Sequence, residues 1–240
     1  MPLIKGAGVQ KWYLPEKMSQ GIVEYLIYKD YLAQNKGEKN THFNFSRIVM
    51  QGITGVDEKH RIKATILPKG VFCGHSINYI SLKGISEFKS MYYLALLNSE
   101  FSNWFFKKFS TNSNVNSYEI HNLPCPEFVE QYSPLSILSS FLLNNKRKLN
   151  GITFDFIEQV INSIIYEIVF PEEIHSANKG VIEYLQDVYP IDDSMSDQEK
   201  ISIINSEFER LYDPYHPVRN NVDTIENIEV VRIIKEALRK

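Results

Sequence analysis

Asparagine and serine side chains crowd a short stretch of the chain directly after two lysines. Lys107 and Lys108 precede residues 110–117, which contain three asparagines, three serines and one threonine. An asparagine amide can donate to and accept from the edge of one adenine, and lysine ammonium groups attract DNA phosphates. The spacing predicts a DNA contact through Asn112 and Asn114, although clusters of this composition also form ordinary turns.

A second candidate DNA contact lies between two β-rich segments. Residues 47–55 predict a strand that runs into a glycine-bounded loop, and residues 57–63 predict a basic strand after it. Such a loop could enter a DNA groove, where amide, hydroxyl and guanidinium groups read base edges. A solvated hairpin is the alternative.

The residue patterns that would support catalysis are incomplete. Gly6-Ala7-Gly8 is followed by Lys11 where a dinucleotide-binding loop needs its third glycine. The segment 213–217 has one proline where an adenine methylase motif needs two adjacent prolines. Glu87-Phe88-Lys89 with Asp57 upstream fits a magnesium nuclease only loosely. We therefore expect no catalytic residues and no resident cofactor.

Two cysteines and two histidines could supply a tetrahedral zinc site: Cys73, His75, His121 and Cys125. The spacing of Cys73 and His75 is cramped for a structural clip, and a free cysteine more often packs as a small hydrophobe. We expect no metal, and we expect both cysteines to stay reduced inside the cell.

The elements that must position these residues change character along the chain. Strands are predicted at residues 45–53, 61–67 and 77–82, and a helix from Glu87. Residues 22–34 predict a helix, with a strand as the open alternative. Later helices are predicted at 134–149, 154–170, 172–188, 197–212 and 224–238. Ser196 and Glu199 have the spacing of a helix-starting capping box.

The predicted fold class is therefore α+β with a mixed, mainly antiparallel β-rich domain at residues 1–133. An α-helical C-terminal region follows at residues 134–240. Charge divides at nearly the same place, because residues 1–150 carry a net charge of +7 and residues 151–240 carry −10. A basic surface suits a polyanion, whereas an acidic one suits protein contacts. The chain has no apolar stretch of membrane-spanning length and no signal peptide, so we expect a soluble, cytoplasmic protein.

Several motifs together resemble one known family. The motifs are Leu94-Ala95-Leu96-Leu97-Asn98-Ser99, then Asn103-Trp104-Phe105-Phe106, Ser110-Thr111, Asn116-Ser117-Tyr118 and Leu123-Pro124-Cys125-Pro126. In this order they resemble the TaqI-like C-terminal specificity domain of adenine-specific DNA methyltransferases and type II restriction enzymes that carry a methylase. Residues 2–12, 47–80 and 156–173 are also similar to segments of that family.

The resemblance implies a DNA-recognition part of a restriction-modification system that is not an enzyme by itself. Its expected partners are double-stranded DNA and an adenine methyltransferase domain or subunit, and S-adenosylmethionine would bind that methylase. The implied phosphate contacts are Lys5, Lys11, Lys107 and Lys108. The implied base or groove contacts are Gln51, Thr54, His60, Arg61, His75, Asn112 and Asn114, with Arg47 and Lys63 on the strands beside them.

The catalytic half of such enzymes has no counterpart in this sequence. We therefore expect either a piece of a longer protein or a separately encoded specificity subunit. The alternative function is a helical docking module for a methylase or nuclease chain, with DNA binding secondary, because the acidic region after residue 150 suits protein contacts.

Overall fold

The computed structural model describes residues 1–14, 24–34 and 37–239 and confirms the α+β class. The strands of the described residues are β1 (Pro2–Ile4), β2 (Glu24–Tyr25), β3 (Arg47–Gln51), β4 (Ala64–Leu67), β5 (Phe72–Cys73) and β6 (Ile77–Ser81). The α-helices of the same part are α1 (Tyr28–Gln34), α2 (Glu87–Asn98), α3 (Glu100–Phe109), α4 (Ser117–His121), α5 (Ser133–Leu142), α6 (Gly151–Val169), α7 (Pro171–Ser176), α8 (Asp197–Tyr212), α9 (Pro217–Thr224) and α10 (Glu229–Arg239).

The strands form two small sheets. One has the order β2-β1-β5, in which β1 pairs antiparallel with β2 and parallel with β5. The other has the order β4-β3-β6 and is antiparallel throughout. Side chains of β3 alternate between two hydrophobic cores, because successive residues of a strand point to opposite faces. Ile48 and Met50 enter the large core, whereas Val49 joins a small core that also contains Ile4.

The large core extends from the sheet into the helical region. Buried residues of α2, α5, α6 and α10 all belong to one hydrophobic cluster with Met50 of β3, for example Leu94, Leu138 and Ile161. The division of the chain at residue 133 remains a prediction, and the two parts share a core across it. Within residues 1–14, 24–34 and 37–239, no helix is long and apolar enough to cross a membrane.

Two amides from the motif-bearing helices bind backbone groups at the edge of β4 that faces away from β3. The Asn98 side chain accepts from Ala64 N at 2.9 Å and donates to Ala64 O at 3.0 Å. The Asn103 side chain accepts from Ile62 N at 2.8 Å. These bonds satisfy buried backbone groups that a further strand would otherwise pair. They also explain why the strand begins at Ala64, later than the predicted Arg61.

Sequence-based helix bounds are accurate where local signals decide them. Helix α8 spans the predicted range, and Ser196 and Glu199 form the expected capping box. Of the helix predicted at 224–238, α10 confirms the part from Glu229 on; α9 already ends at Thr224, and a short 3-10 segment lies between the two helices. Helix α5 ends at Leu142, well before the predicted residue 149. In the described part of the predicted 22–34 helix, β2 precedes α1; residues 22 and 23 lie outside the described residues.

The helix predicted at 172–188 is wrong. Helix α7 ends at Ser176, and Asn178 adopts the left-handed backbone with φ 54°. The Glu167 carboxylate of α6 accepts from the backbone N–H groups of Val181 at 2.6 Å and Ile182 at 3.0 Å. This buried carboxylate holds the chain in a turn, because the two N–H groups bind it and a helix would use them internally.

Candidate nucleic-acid interface

Three loops meet at one end of the β4-β3-β6 sheet: residues 52–60, 74–76 and 110–117. We call this surface the loop edge. Gly52 N donates to Ser76 O at 2.8 Å, and Val115 N donates to Gly52 O at 2.9 Å. Thr54 N donates to Ser113 O at 2.8 Å. Backbone bonds therefore join the two segments that the sequence nominated separately as DNA contacts.

The N-terminal segment lies against the same end of the sheet. Gly6 N donates to Ser76 Oγ at 2.9 Å, and the Gln51 amide donates to Val9 O at 2.6 Å. A Cβ on Gly6 would lie 2.4 Å from Ser76 O, so only glycine permits this approach. Glycine is therefore needed at position 6 for a close backbone contact with the loop edge. This contact explains the glycine without a cofactor-binding loop.

Arg61 is buried beneath the loop edge. Its Nε donates to Thr54 Oγ1 at 2.8 Å, and its Nη2 donates to Asn112 O at 2.7 Å and Asn114 O at 3.3 Å. The guanidinium also lies 5.3 Å from the ring centroid of Phe106. Burial lowers the pKa of Arg61, and the carboxylates of Glu119 and Glu58 oppose that shift. One cation therefore binds both loops together from inside.

Three side chains that the sequence nominated for DNA contact belong to the scaffold instead. Arg61 and Thr54 are buried and bonded to each other, so neither faces a groove. Arg47 is also buried, and it donates to Val71 O and to Cys73 Sγ, the latter at 3.6 Å. Direct base contacts by these three residues do not fit this arrangement, because each would first have to leave a buried bonded position.

The loop edge does bring other nominated side chains to the surface. His75, Asn112 and Asn114 are exposed there, and the Asn112 side chain accepts from Asn114 N at 2.8 Å. Lys5 is exposed and pairs with Glu24 at 2.6 Å. Lys107 and Lys108 occupy the last turn of α3, immediately before loop 110–117. These residues form a polar and cationic surface of the kind that phosphates and base edges require.

Lys11 and Lys63 each pair with a carboxylate, and His60 is half-buried. Lys11 Nζ lies 2.9 Å from Glu158 Oε1 in α6, and Lys63 Nζ lies 2.5 Å from Glu58 Oε2. Burial, reinforced by the charge of Lys11, lowers the pKa of His60 to about 3. His60 is therefore neutral at physiological pH and offers no positive charge to a phosphate.

Glu158 connects the N-terminal segment to the helical region. Its Oε1 accepts from Trp12 Nε1 at 2.6 Å as well as pairing with Lys11. Burial acts to raise the pKa of Glu158, but the charge and hydrogen bond of Lys11 and the hydrogen bond of Trp12 oppose it, and the net effect is a lowered pKa. Lys11, which was predicted to contact phosphate, is therefore paired with an ionised carboxylate of α6.

Sequence reasoning missed two exposed side chains on the loop edge. Ile53 is 59% exposed and bridges to Asn114, and Val56 is 46% exposed in the same loop. An apolar side chain on a DNA-facing loop can contact the methyl group of thymine. The signal in the sequence was two apolar residues, one on each side of Gly55, in an otherwise polar loop.

Metal-ligating groups do not assemble in the part of the chain that the structure describes. No group of three or more His, Cys, Asp or Glu side chains is placed there to hold a metal ion. Cys73 is half-buried beside Arg47, and Cys125 is exposed; both are free thiols.

A known family matches the N-terminal half of the chain. The family model of the TaqI-like C-terminal specificity domain matches residues 1–125, which is more than half of the chain. The chain belongs to this family. The matched range contains the entire loop edge and the motif-bearing helices α2 and α3. Residues 1–125 are thus a DNA-recognition specificity domain of the kind found in restriction-modification systems. No curated protein matches the chain.

Proposed function

We propose that this TaqI-like specificity domain reads the base sequence of duplex DNA for an adenine methyltransferase and carries out no chemistry itself. The methyltransferase, as a domain or a subunit of a type II restriction-modification system, would supply S-adenosylmethionine and the catalytic residues. The observation that supports this proposal is the hydrogen-bonded loop edge, which presents amide, imidazole and ammonium groups on one surface.

We assign a role to each side chain according to whether it lies at the surface or is buried. Lys5, Lys107 and Lys108 contact phosphates, because ammonium groups attract the backbone without reading its sequence. Asn112, Asn114 and His75 contact base edges, and Ile53 contacts a thymine methyl group. Arg61 keeps the two long loops in register, so their exposed side chains meet the bases with little loss of conformational entropy.

The Asn114 side chain gives the sharpest test of base reading. Its amide is exposed, whereas its backbone N and O make the loop bonds to Asn112 and Arg61. Asn114→Ala therefore removes a base-reading group and leaves those backbone bonds in place. The wild-type chain and the variant would each be used to enrich binding sequences from a duplex pool with a randomised centre.

We expect the wild-type chain to enrich a defined motif and Asn114→Ala to lose preference at one position of it. A bidentate asparagine–adenine contact discriminates against other bases by about 1–3 kcal/mol. Asn227→Ala is the matched control, because Asn227 is exposed in the helical region, far along the chain from the loop edge. A wild-type chain that binds the pool but enriches no motif would contradict sequence reading.

A second candidate function is docking of a methylase or nuclease chain to the acidic helical region. Residues 151–240 carry a net charge of −10. Exposed glutamates there include Glu172, Glu173, Glu209 and Glu236. The shared core argues against testing this region as a fragment, since cutting the chain would expose buried apolar surface.

Docking is therefore tested in the full chain. A variant with these four glutamates changed to glutamine should lose co-purification with the tagged methyltransferase chain of the same restriction-modification system. DNA binding should be unchanged or slightly tighter, because like-charge repulsion of phosphates falls. Equal recovery of wild type and variant would remove the electrostatic docking proposal.

A further inference from the structure

A basic turn outside the loop edge has no place in the function described so far. Residues 144–148 follow α5 and contain Lys146, Arg147 and Lys148 in succession. Asn144 adopts the left-handed backbone with φ 60°, and its N–H donates to Trp12 O at 2.9 Å. The turn is therefore fixed against the N-terminal segment.

Two of its cations are packed on aromatic rings while they remain exposed. Lys146 Nζ lies 5.6 Å from the ring centroid of Tyr13 and 5.7 Å from that of Phe154. Arg147 Cζ lies 5.9 Å from the Tyr13 centroid. Such cation–π contacts hold a charge in position while its outer face stays in solvent.

The turn and the N-terminal segment line an open surface concavity of about 310 Å³. Among the described residues that line it, Lys146, Arg147 and Lys148 carry the charge, and the others are Tyr13, Leu14 and Asn144. Lys148 also pairs with Asp197 at 2.8 Å, and both side chains of that pair are substantially exposed. The concavity is therefore positive, which suits an anionic group such as a phosphate.

The N-terminal segment connects this turn to the loop edge. Within this segment, Gly6 N donates to Ser76 Oγ of the loop edge, and Trp12 N donates to Ala64 O at 3.0 Å. Ala64 pairs with Met50, one residue before Gln51, where β3 enters the loop edge. The basic turn thus lies toward the same end of the sheet as the base-reading loops.

We infer that the basic turn is a second contact for the phosphate backbone of the duplex held at the loop edge. The inference rests on the proposed DNA reading, and it lengthens the stretch of duplex that the chain contacts. Lys146 and Arg147 are the contacting cations, and Tyr13 is the ring that positions both. We expect the concavity to bind phosphodiester groups of the DNA backbone. It presents cations and few groups that could hydrogen-bond to base edges.

The salt dependence of binding provides the test, since each neutralised phosphate releases counterions. The probe is a fluorescein-labelled duplex of mixed sequence, about 30 base pairs long, which spans several helical turns of DNA. Fluorescence anisotropy would give the Kd of the full chain between about 50 and 200 mM NaCl. Loss of two phosphate contacts in K146Q/R147Q should make the slope of log K against log salt shallower by about 1.8. The Kd should rise on the order of tenfold or more near 0.1 M salt.

Two further variants serve as controls. K146R/R147K keeps both charges and should keep the wild-type slope. K83Q/K89Q removes two exposed lysines that also lie over aromatic rings, at 5.5 Å from the Phe45 centroid and 5.7 Å from the Phe128 centroid. Lys83 follows the end of β6 that pairs with Arg47, opposite the loop edge, so this variant should also keep the slope.

The outcomes separate the inference from the proposed function. If the two cations serve packing alone, K146Q/R147Q will lower the free energy of unfolding and keep the wild-type slope, which overturns the inference while DNA reading stands. If the wild-type chain shows no salt-dependent binding to the duplex, the proposed function and the inference both fall. A shallower slope in K146Q/R147Q alone supports the second contact.

Discussion

The buried guanidinium of Arg61 donates from Nη2 to the backbone carbonyl oxygen of Asn112 at 2.7 Å. Arg61 begins the segment after one exposed loop, and Asn112 lies at the centre of another, 51 residues later. The pair therefore makes one surface from two segments that are distant in sequence. The positions of the exposed side chains on these loops therefore depend on a cation that is itself buried.

The Arg61→Lys substitution tests whether the hydrogen bonds of Arg61, and not its charge alone, hold the two loops together. Lysine keeps the positive charge but loses the planar fork that contacts Thr54, Asn112 and Asn114. We expect the free energy of unfolding in urea to fall by about 2–4 kcal/mol, because hydrogen bonds to a charged group are lost in a buried site. Arg232→Lys, at an exposed arginine of α10, should change it by less than about 0.5 kcal/mol. Equal effects of the two substitutions would contradict the scaffold role of Arg61.

The sequence nominated two segments for DNA contact, which the fold joins, but it could not assign the role of Arg61 within them. An arginine in a basic strand beside a glycine-bounded loop is typical of a groove contact, and only the fold shows that it points inward. Helix α8 was predictable because its capping box and periodicity are local. The turn after α7 was not, because the Glu167 carboxylate that holds it lies on another helix.

Asn98→Ala should destabilise the fold through the backbone of β4. The Asn98 amide bonds both the N–H and the C=O of Ala64, and all of these groups are buried. Alanine would leave the Ala64 N–H without a partner, whereas Ala64 O would keep its bond from Trp12 N. We expect a cost of about 1–3 kcal/mol in the free energy of unfolding. Chemical denaturation measures this, with the exposed Asn227→Ala as the comparison. A loss below about 0.5 kcal/mol would show that other groups or water replace the amide.

Gly6→Ala should disturb the contact between the N-terminal segment and the loop edge. The new Cβ would lie 2.4 Å from Ser76 O, so either the segment or the turn at Ser76 must move. We expect a loss of about 1–3 kcal/mol in the free energy of unfolding, as for other overpacked sites. Gly151→Ala is the matched control, because no atom lies within 4 Å of its added Cβ at the start of α6. That substitution should be neutral or stabilise by up to about 1 kcal/mol.

The His60 imidazole should make stability fall in mild acid. In the unfolded chain a histidine takes up a proton near its ordinary pKa of 6.5, whereas burial and the charge of Lys11 lower the pKa of folded His60 to about 3. Below pH 6.5 the unfolded state therefore binds a proton that the folded state does not bind. The free energy of unfolding consequently declines as the pH falls toward 3. The decline from this one group is at most about 1.4 kcal/mol per pH unit.

Urea unfolding of wild type and His60→Gln at pH values from about 7.5 to 5 isolates this contribution, because the carboxyl groups titrate mainly below that window. Glu158, whose pKa is lowered in the fold, contributes stability above the ordinary glutamate pKa of 4.5 that is lost only as the pH falls below that value. Burial also lowers the pKa of His216, but His216 is present in both proteins and cancels in the difference. We expect wild type to lose roughly 1–2 kcal/mol more than His60→Gln between pH 6.5 and 5. Parallel pH profiles would mean that folded His60 accepts its proton as readily as the unfolded residue does.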